Sequence, residues 1–386
     1  MARSLQTLSA ERRLAGARLT GVAMEVTGSV GVVVVGLGGL GSSLVAGIEA
    51  ARAHLVHPWG SLVEGGGSAR GALGSLRERA PFAQLSDLVL GAFELKDDDA
   101  YRATLRAGLL SRALIDELRP QLRQVRAMLG ARQAPTRRHL ADTLAEDLRG
   151  FLAHNHCARG VLVCTVPGPA AAPVELAFTP AELWAALEEG GEAISPGLVY
   201  AAAAAQAGFS FVAAAPDASL AAPGLAALFA EAGLPIAGCG LLGPDVALRE
   251  ALAQVLAAEG FGLAGAASLS TRVEERGARL WGGPDRTQEM GLASAWAGGA
   301  MELSLELRGQ VPLYLAGRAL DATLMTDLAG RAGSAGAQEW MDALFATPLG
   351  SVAPRETAKT LAGRRARMLA ELPPLAAAAV ARMQAA

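Results

Sequence analysis

The run Val32-Val33-Val34-Val35, followed without a break by Gly36-Leu37-Gly38-Gly39-Leu40-Gly41, constrains this chain more than any other stretch of it. Four β-branched residues are too few for a helix and suit a strand buried on both faces. The residues from Ser42 to Leu55 then read as a helix. Strand, glycine turn and helix, in that order, are what a dinucleotide-binding unit requires. The glycines permit a tight turn and close backbone approach, while the free N–H groups and positive dipole end of the helix suit a pyrophosphate. The alternative is a glycine turn with no ligand, and the flanking strand and helix weigh against it. The candidate cofactor residues are Gly36, Gly38, Gly39 and Gly41, with Ser42 and Ser43 at the helix start. Such a unit carries an acidic residue about 20 residues further on, and no clear second strand presents one at that distance. Glu94, just past a strand expected at Asp87 to Phe93, either grips the ribose or adenine side or is an exposed strand-end glutamate.

Alternation continues along the chain. Helices are expected between Asp99 and Leu129, broken near Pro120, and again at Arg138 to Ala153, with a strand at Gly160 to Thr165. A helix at Pro196 to Gln206, a strand at Phe209 to Ala214, a helix at Ala222 to Ala232, a strand at Leu234 to Ala237 and a helix at Asp245 to Glu259 follow. Strands and helices in this rhythm predict a parallel sheet with helices on its faces. Past Phe261 the pattern changes: Met301, Leu303, Leu305 and Leu307 alternate with polar residues, the period of a half-buried strand in a second, antiparallel sheet. Helix returns at Ala319 to Arg331 and at Arg355 to Ala385, the last interrupted by Pro373-Pro374.

Composition closes off several classes. Of 386 residues, 52% are apolar and 18% charged, far from the disordered class. The 34 basic and 37 acidic residues nearly cancel and form no long run of one sign, so no nucleic-acid partner is expected. The uncharged stretches Thr27 to Ile48 and Leu198 to Pro216 are rich in small residues and read as a strand joined to a helix, so no membrane partner is expected either. The N-terminus lacks the apolar core of a secretory signal. Cys157, Cys164 and Cys239 form no CxxC, which argues against a disulfide framework or zinc site and for a cytoplasmic protein. His154, His156 and Cys157 lack a matching ligand pair elsewhere, so no metal is expected; His54 and His57 read as helix-end residues, and Asp97-Asp98-Asp99 as a helix start. The only lysines are Lys96 and Lys359, so nearly every cation is arginine.

Several segments, taken in order, resemble the myo-inositol-1-phosphate (inositol-3-phosphate) synthase family. Gly36-Leu-Gly-Gly-Leu-Gly-Ser-Ser-Leu is similar to its GxGGxxGSxL turn, and Gly60-Ser61-Leu62 to the GSL that follows. Ala80-Pro81-Phe82, the stretch Asp87 to Glu94, Leu118-Arg119-Pro120, Ile194 to Ala201 and Pro216 to Leu225 resemble its APF, D-[DI]-V-x-G-G-W-D, LRP, ISPSTLYA and SPQNTFVPGL segments. The likeness covers about residues 28 to 260 and extends more loosely beyond. It implies an α/β fold: a Rossmann-like parallel-sheet NAD domain with an inserted, mainly antiparallel α/β domain that builds the active site and the subunit interface. The implied organisation is an extension at 1–27, the dinucleotide-binding domain at 28–260, the catalytic and oligomerisation domain at 261–350, and C-terminal helices returning to the first domain at 351–386. NAD is the implied cofactor, a sugar phosphate the implied ligand, and a homo-oligomer, tetramer or dimer, the implied assembly. The family turns glucose 6-phosphate into inositol 3-phosphate: NAD takes a hydride from C5, a proton leaves C6, the enolate attacks the C1 aldehyde, and the hydride returns.

The substrate half of the resemblance departs from the family. Its GDDFKSGQT, with a catalytic lysine, aligns with Gly238 to Val246, placing Leu242 at the lysine and Pro244-Asp245 at the phosphate. Its KMK aligns with Ala247-Leu248-Arg249, its LGNNDGxNL with Arg272 to Leu280, its SK[ST] with Asp285-Arg286-Thr287, its SKRA with Ala316-Gly317-Arg318-Ala319, and its TANTE with Thr165 to Pro169. This implies Thr165 as a cofactor residue and Arg249, Arg286 and Arg318 as the remaining catalytic cations. An arginine holds an oxyanion but does not exchange a proton as an amine does. Three readings stay open: a divergent sugar-phosphate cyclase, a non-catalytic NAD-binding homologue with an assembly or regulatory role, and a generic nicotinamide oxidoreductase.

Overall fold

The computed structural model describes residues 28–65, 76–130, 133–169, 179–190, 194–244, 269–274, 285–292, 301–307, 309–347 and 360–385, with 252, 254, 255, 258 and 349 besides. Its strands are β1 (Ser29–Val35), β2 (Leu88–Glu94), β3 (Ala127–Leu129), β4 (Cys157–Cys164), β5 (Phe209–Ala213), β6 (Pro235–Gly238), β7 (Leu269–Glu274), β8 (Asp285–Leu292), β9 (Met301–Leu307) and β10 (Gly336–Ala337). The α-helices are α1 (Gly39–Arg52), α2 (Ala100–Ala107), α3 (Arg112–Glu117), α4 (Arg119–Gln124), α5 (Arg137–His154), α6 (Pro180–Glu189), α7 (Pro196–Ala207), α8 (Pro223–Glu231), α9 (Val311–Ala332) and α10 (Leu361–Ala385).

Seven strands form one parallel sheet in the order β10-β6-β5-β4-β1-β2-β3. Apart from the added β10, this is the doubly wound order in which a dinucleotide lies over the β1–β4 reversal. The valine run explains why β1 is central. Val30, Val32 and Val34 enter one core with α1, α9 and α10, whereas Val33 and Val35 enter a second core with α5 and α7. Period-two alternation thus buries both faces. The expected second sheet is β7-β8-β9, antiparallel, with Met301 paired to Leu292 and Leu307 to Arg286.

Four local expectations change. Helix α1 starts at Gly39 rather than Ser42, because the last glycines of the turn already form its first turn. Strand β3 has only three residues and gains its place by pairing with β2, whereas helix α6, also not expected, carries a legible start, the Thr179–Glu182 capping box with Pro180 behind it and Leu183 and Leu187 buried one turn apart. The Pro373-Pro374 pair does not interrupt α10. Both prolines are exposed, so the carbonyls they leave without donors can meet water, while Leu361, Met368, Leu372 and Ala379 bury one continuous face. The chain also rejoins the first sheet earlier than residue 351, since α9 packs on α1, β4, β5 and β6, and β10 pairs with β6. The helix expected at Asp245 to Glu259 lies largely outside the described residues.

Helix α9 is held by two buried carboxylates. Asp327 accepts from Arg159 of β4 and, at 2.9 Å, from Nε of Arg331, whose Nη2 also donates to the Pro81 carbonyl at 2.7 Å. One turn and a half earlier, Asp321 accepts from Ser61 Oγ at 2.6 Å, Leu62 N at 2.8 Å and Val63 N at 3.0 Å, with Arg318 3.7 Å away. Burial pushes the Asp321 carboxyl up to about 6, even though Arg318 and the three donors favour its charged form. Gly317 completes the joint: a Cβ there would meet the Gly60 carbonyl carbon at 2.6 Å and Ser61 N at 2.8 Å.

Two predictions follow from α9. Replacing Asp327 by Ala leaves two guanidinium groups without their shared buried partner and should cost about 3–5 kcal/mol in urea unfolding. Asp321 acts on pH dependence instead. Its folded-state value lies above the ordinary carboxylate value, so its stabilising contribution is complete below about 3.9 and is lost as pH rises through about 6. The stability of the native protein relative to Asp321→Asn should therefore increase on acidification from pH 7 to about pH 4, by up to roughly 2–3 kcal/mol. A difference that stays flat with pH would show that the carboxyl titrates normally.

Candidate functional site

The glycine turn sits at the carboxyl end of β1, at the edge where an open α/β sheet builds its ligand crevice. Gly36 has φ +86°, donates its N–H to the Phe93 carbonyl at 2.9 Å, and leaves room for Val166, whose Cγ2 would be 2.8 Å from an added Cβ. Gly41 lets α1 press onto the turn, for a Cβ there would run into the Gly36 carbonyl oxygen. Gly38 is the N-cap and Gly39 the first helical residue; no side chain caps the helix and no acidic residue stands in its first turn. The first hydrogen bond back into the helix comes from Ser42 N to Gly38 O at 2.9 Å. The N–H groups of Gly38, Gly39, Leu40 and Gly41 therefore have no helical acceptor, and they lie at the positive end of the dipole.

The remaining expected cofactor residues surround this end in different roles. Ser42 Oγ donates to Gly38 O at 2.6 Å and is spent inside the helix. Ser43 is buried, and its Oγ has no hydrogen-bond partner among the described residues. Thr165, just past β4, donates its hydroxyl to the carbonyls of Val35 and Gly36 at 2.9 and 2.8 Å, so it braces the turn from the neighbouring strand. Glu94 ends β2, the position an acidic ribose ligand takes in this fold. Its Oε2 accepts from Leu37 N at 2.8 Å and its Oε1 from Leu95 N at 2.9 Å. The role of Leu37, a backbone donor that ties the carboxylate to the turn, has no sequence signal.

Beyond β5, Asp217 locks the loops that flank the crevice. Its carboxylate accepts from Ser195 Oγ and Ser219 Oγ, each at 2.6 Å, and from Ser219 N at 3.0 Å. Gly168 and Gly197 leave space for it, since a Cβ at either would collide with the carboxylate. Burial pushes the nearby thiols of Cys164 and Cys239 up to about 12 and about 11, so neither is a nucleophile at neutral pH.

The segment after β6 is closed. Leu242 N donates to Leu344 O at 2.8 Å, Ala346 N to Gly240 O at 2.7 Å, Thr347 N to Cys239 O at 3.1 Å and Leu349 N to Gly238 O at 2.7 Å. Leu241 and Leu242 are buried in the core shared by α1 and α9. Of the three expected cations, Arg249 lies outside the described residues. Arg286 occupies a β8 position opposite Val273 and Leu307. Arg318 lies on α9, with its guanidinium 5.4 Å from the Tyr314 ring centroid and donating to Tyr314 Oη. Tyr314 carries a sequence signal that could have found it, the i, i+4 spacing to Arg318. The structure therefore brings the glycines, Ser42, Ser43, Glu94 and Thr165 together, and sets Arg318 on a separate helix. A cavity of about 640 Å³ opens at the far end of α1, lined by Arg52, His54 and Glu64 among others. Its charges are already matched, Arg52 with Glu49 and Glu64 with Arg77. Among the described residues no His, Cys, Asp or Glu cluster could hold a metal, and no helix is long and apolar enough to cross a membrane.

An NAD-binding family model, described as myo-inositol-1-phosphate synthase, matches residues 30–357. Inositol-3-phosphate synthase 1 of Bacteroides thetaiotaomicron is 24% identical over 395 residues, covering 84% of this chain and 90% of that protein. Among solved structures, inositol-3-phosphate synthase of Caenorhabditis elegans superposes with a TM-score of 0.74 at 14% identity, over 90% of this chain and 86% of that one. A myo-inositol-1-phosphate synthase-related protein of Thermotoga maritima gives 0.63 at 16% identity, covering 89% and 98%. The protein Ari2 gives 0.60 at 18%, covering 90% and 99%. NAD is the cofactor this family model implies, and the residues present fit it: an uncapped helix start, a buried hydroxyl at Ser43 without a partner, and a carboxylate at the end of β2. The chain belongs to the myo-inositol-1-phosphate synthase family.

Proposed function

We propose that this protein binds NAD and acts on a sugar phosphate by redox-neutral chemistry, but does not carry out the lysine-dependent cyclisation of glucose 6-phosphate. One contrast carries the reading. The cofactor half of the crevice keeps free helix N–H groups and a carboxylate, whereas Leu242, which stands where the resemblance puts a lysine, is buried and bonded to Leu344 in a backbone ladder that also takes in Ala346, Thr347 and Leu349. Bound NAD supplies hydride acceptance and return. The N–H groups of Gly38 to Gly41 favour its pyrophosphate, Glu94 accepts from a ribose hydroxyl, and Thr165 and Gly36 keep the turn in place. A leucine donates nothing to a developing enolate oxygen and exchanges no proton. Loss of one well-placed electrostatic donor commonly costs about 3–4 kcal/mol in transition-state stabilisation, or several hundredfold in rate. A non-catalytic NAD-binding role is the second reading, favoured by the same ladder, because it leaves no titratable side chain at that position.

With NAD and glucose 6-phosphate supplied, inositol phosphate measured by mass spectrometry should form at least several hundredfold more slowly than a typical enzyme's turnover of about 10 per second. Turnover within about tenfold of that value would refute the proposal. Reduction of bound NAD, followed by absorbance across a panel of other sugar phosphates, separates the altered enzyme from the non-catalytic homologue.

The cofactor half makes its own prediction. Glu94→Ala removes the ribose acceptor, and NAD affinity measured by calorimetry should fall roughly tenfold or more, the value of a charge-assisted hydrogen bond. The preference for NAD over NADP should shrink as well, since the carboxylate repels a 2′-phosphate. Unchanged affinity for both would mean that Glu94 serves the turn alone.

A further inference from the structure

We infer that Asp217 sets the oxidation state in which the crevice holds its cofactor: its buried charge favours NAD, whose nicotinamide ring is cationic, over NADH. The inference rests on the NAD reading above and gives this carboxylate a task beyond locking the loops.

The placement follows from the strand order. Glu94 ends β2 on one side of β1, so a dinucleotide whose adenosine ribose meets it crosses the glycine turn and lays its nicotinamide half over β4 and β5. The loops at that end converge on Asp217. Thr165, next after β4, donates to the Gly36 carbonyl at 2.8 Å, and Val166 fills the space that a Cβ at Gly36 would need. Two residues later, at most about 7 Å along the chain, Gly168 lies against the Asp217 carboxylate. Gly168 N donates to Pro216 O and Ala218 N to Pro169 O, each at 3.0 Å, so the loops after β4 and β5 form one wall with the carboxylate inside it.

What distinguishes this carboxylate is its lack of a cation. Among the described residues the buried carboxylates Glu49, Asp98, Asp321, Asp327 and Asp342 each have an arginine within 4.0 Å. Asp217, only 2% exposed, has none among them. Its charge is held by dipoles instead. Ser195 Oγ and Ser219 Oγ donate at 2.6 Å and Ser219 N at 3.0 Å, and Ser195 is the N-cap of α7, whose positive end it brings to the site. Such donors keep a carboxylate ionised without cancelling its net charge, as an arginine would. Burial raises the Cys164 and Cys239 thiols and the Asp217 charge raises both further, so its field reaches the end of β4. Oxidised nicotinamide carries one positive charge and loses it on accepting hydride. Two unit charges about 10 Å apart, at an effective dielectric of about 20, change an equilibrium constant about tenfold. Each tenfold preference for NAD lowers the potential of the bound couple by about 30 mV. A cofactor held in this way returns its hydride readily, which redox-neutral chemistry needs.

Calorimetry on the full chain, with NAD, NADH and ADP-ribose as probes, tests the assignment. The native protein should bind NAD more tightly than NADH. In Asp217→Asn, which keeps the shape but not the charge, that preference should fall about threefold to thirtyfold, with ADP-ribose affinity unchanged within about twofold. Ser219→Ala removes a donor and leaves the charge, so its preference should stay within about twofold of the native value. An unchanged ratio in Asp217→Asn, or an equal loss in Ser219→Ala, overturns the assignment. Should Asp217→Asn fail to fold, the native protein decides, because NADH bound more tightly than NAD overturns it as well. The cofactor reading fails differently, with none of the three nucleotides binding the native protein.

Discussion

Everything at the cofactor edge depends on one close approach, that of Gly41 to the carbonyl of Gly36. No side chain fits between them, so α1 begins within hydrogen-bonding distance of the strand that feeds it. Two consequences come from this. The helix starts three residues earlier than its apolar pattern indicates, and its unpaired N–H groups open on the carboxyl edge instead of on solvent further out. The neighbouring strands then secure the turn, β4 through Thr165 and β2 through the Phe93 carbonyl and Glu94. A backbone held from three strands needs no reorganisation to receive a phosphate, which is the condition for such a site to bind well.

The returning helix α9 meets a different constraint. It crosses the sheet's amino edge and the loop after α1, and it does so with buried carboxylates rather than with leucines alone. Asp327 is matched by two arginines, but Asp321 is matched mainly by neutral donors, and burial leaves its carboxyl raised. The asymmetry shows in the neighbouring arginine. Arg318 stands 3.7 Å from Asp321, outside hydrogen-bonding range, and donates to Tyr314 Oη instead.

How far the sequence discloses this arrangement depends on the range of each interaction. The valine run and the glycines act through local geometry, so β1, the turn and α1 are legible, and the alternation from β4 to β6 follows from strands covered on both faces. Glu94 is legible only as an alternative, because residues 53–87 lie between α1 and β2 and move the acidic residue away from its usual spacing. Strand β3 exists through its pairing with β2, not through its own three residues. The prolines of α10 look disruptive until Leu372 and Ala379 are seen to pack on either side of them. Likewise, Thr165 reads as a cofactor residue by position, while its hydroxyl turns to the backbone of the turn; only tertiary structure distinguishes the two.

The two halves of the crevice differ in the kind of interaction they retain. The cofactor half relies on backbone groups, which survive almost any change of side chain provided that the glycines remain. On the proposed reading, the substrate half relies on the side chains of a loop after β6, and side chains can be replaced. A preference for arginine over lysine, general in this sequence, accounts for cations that change type but not for an apolar residue. Leu242 joins the core of α1 and α9 and is tied to residue 344, so a lysine there would have to bury its ammonium without a partner or break the ladder. On the proposed reading, the backbone ladder after β6 and the absence of an amine at residue 242 are therefore one change.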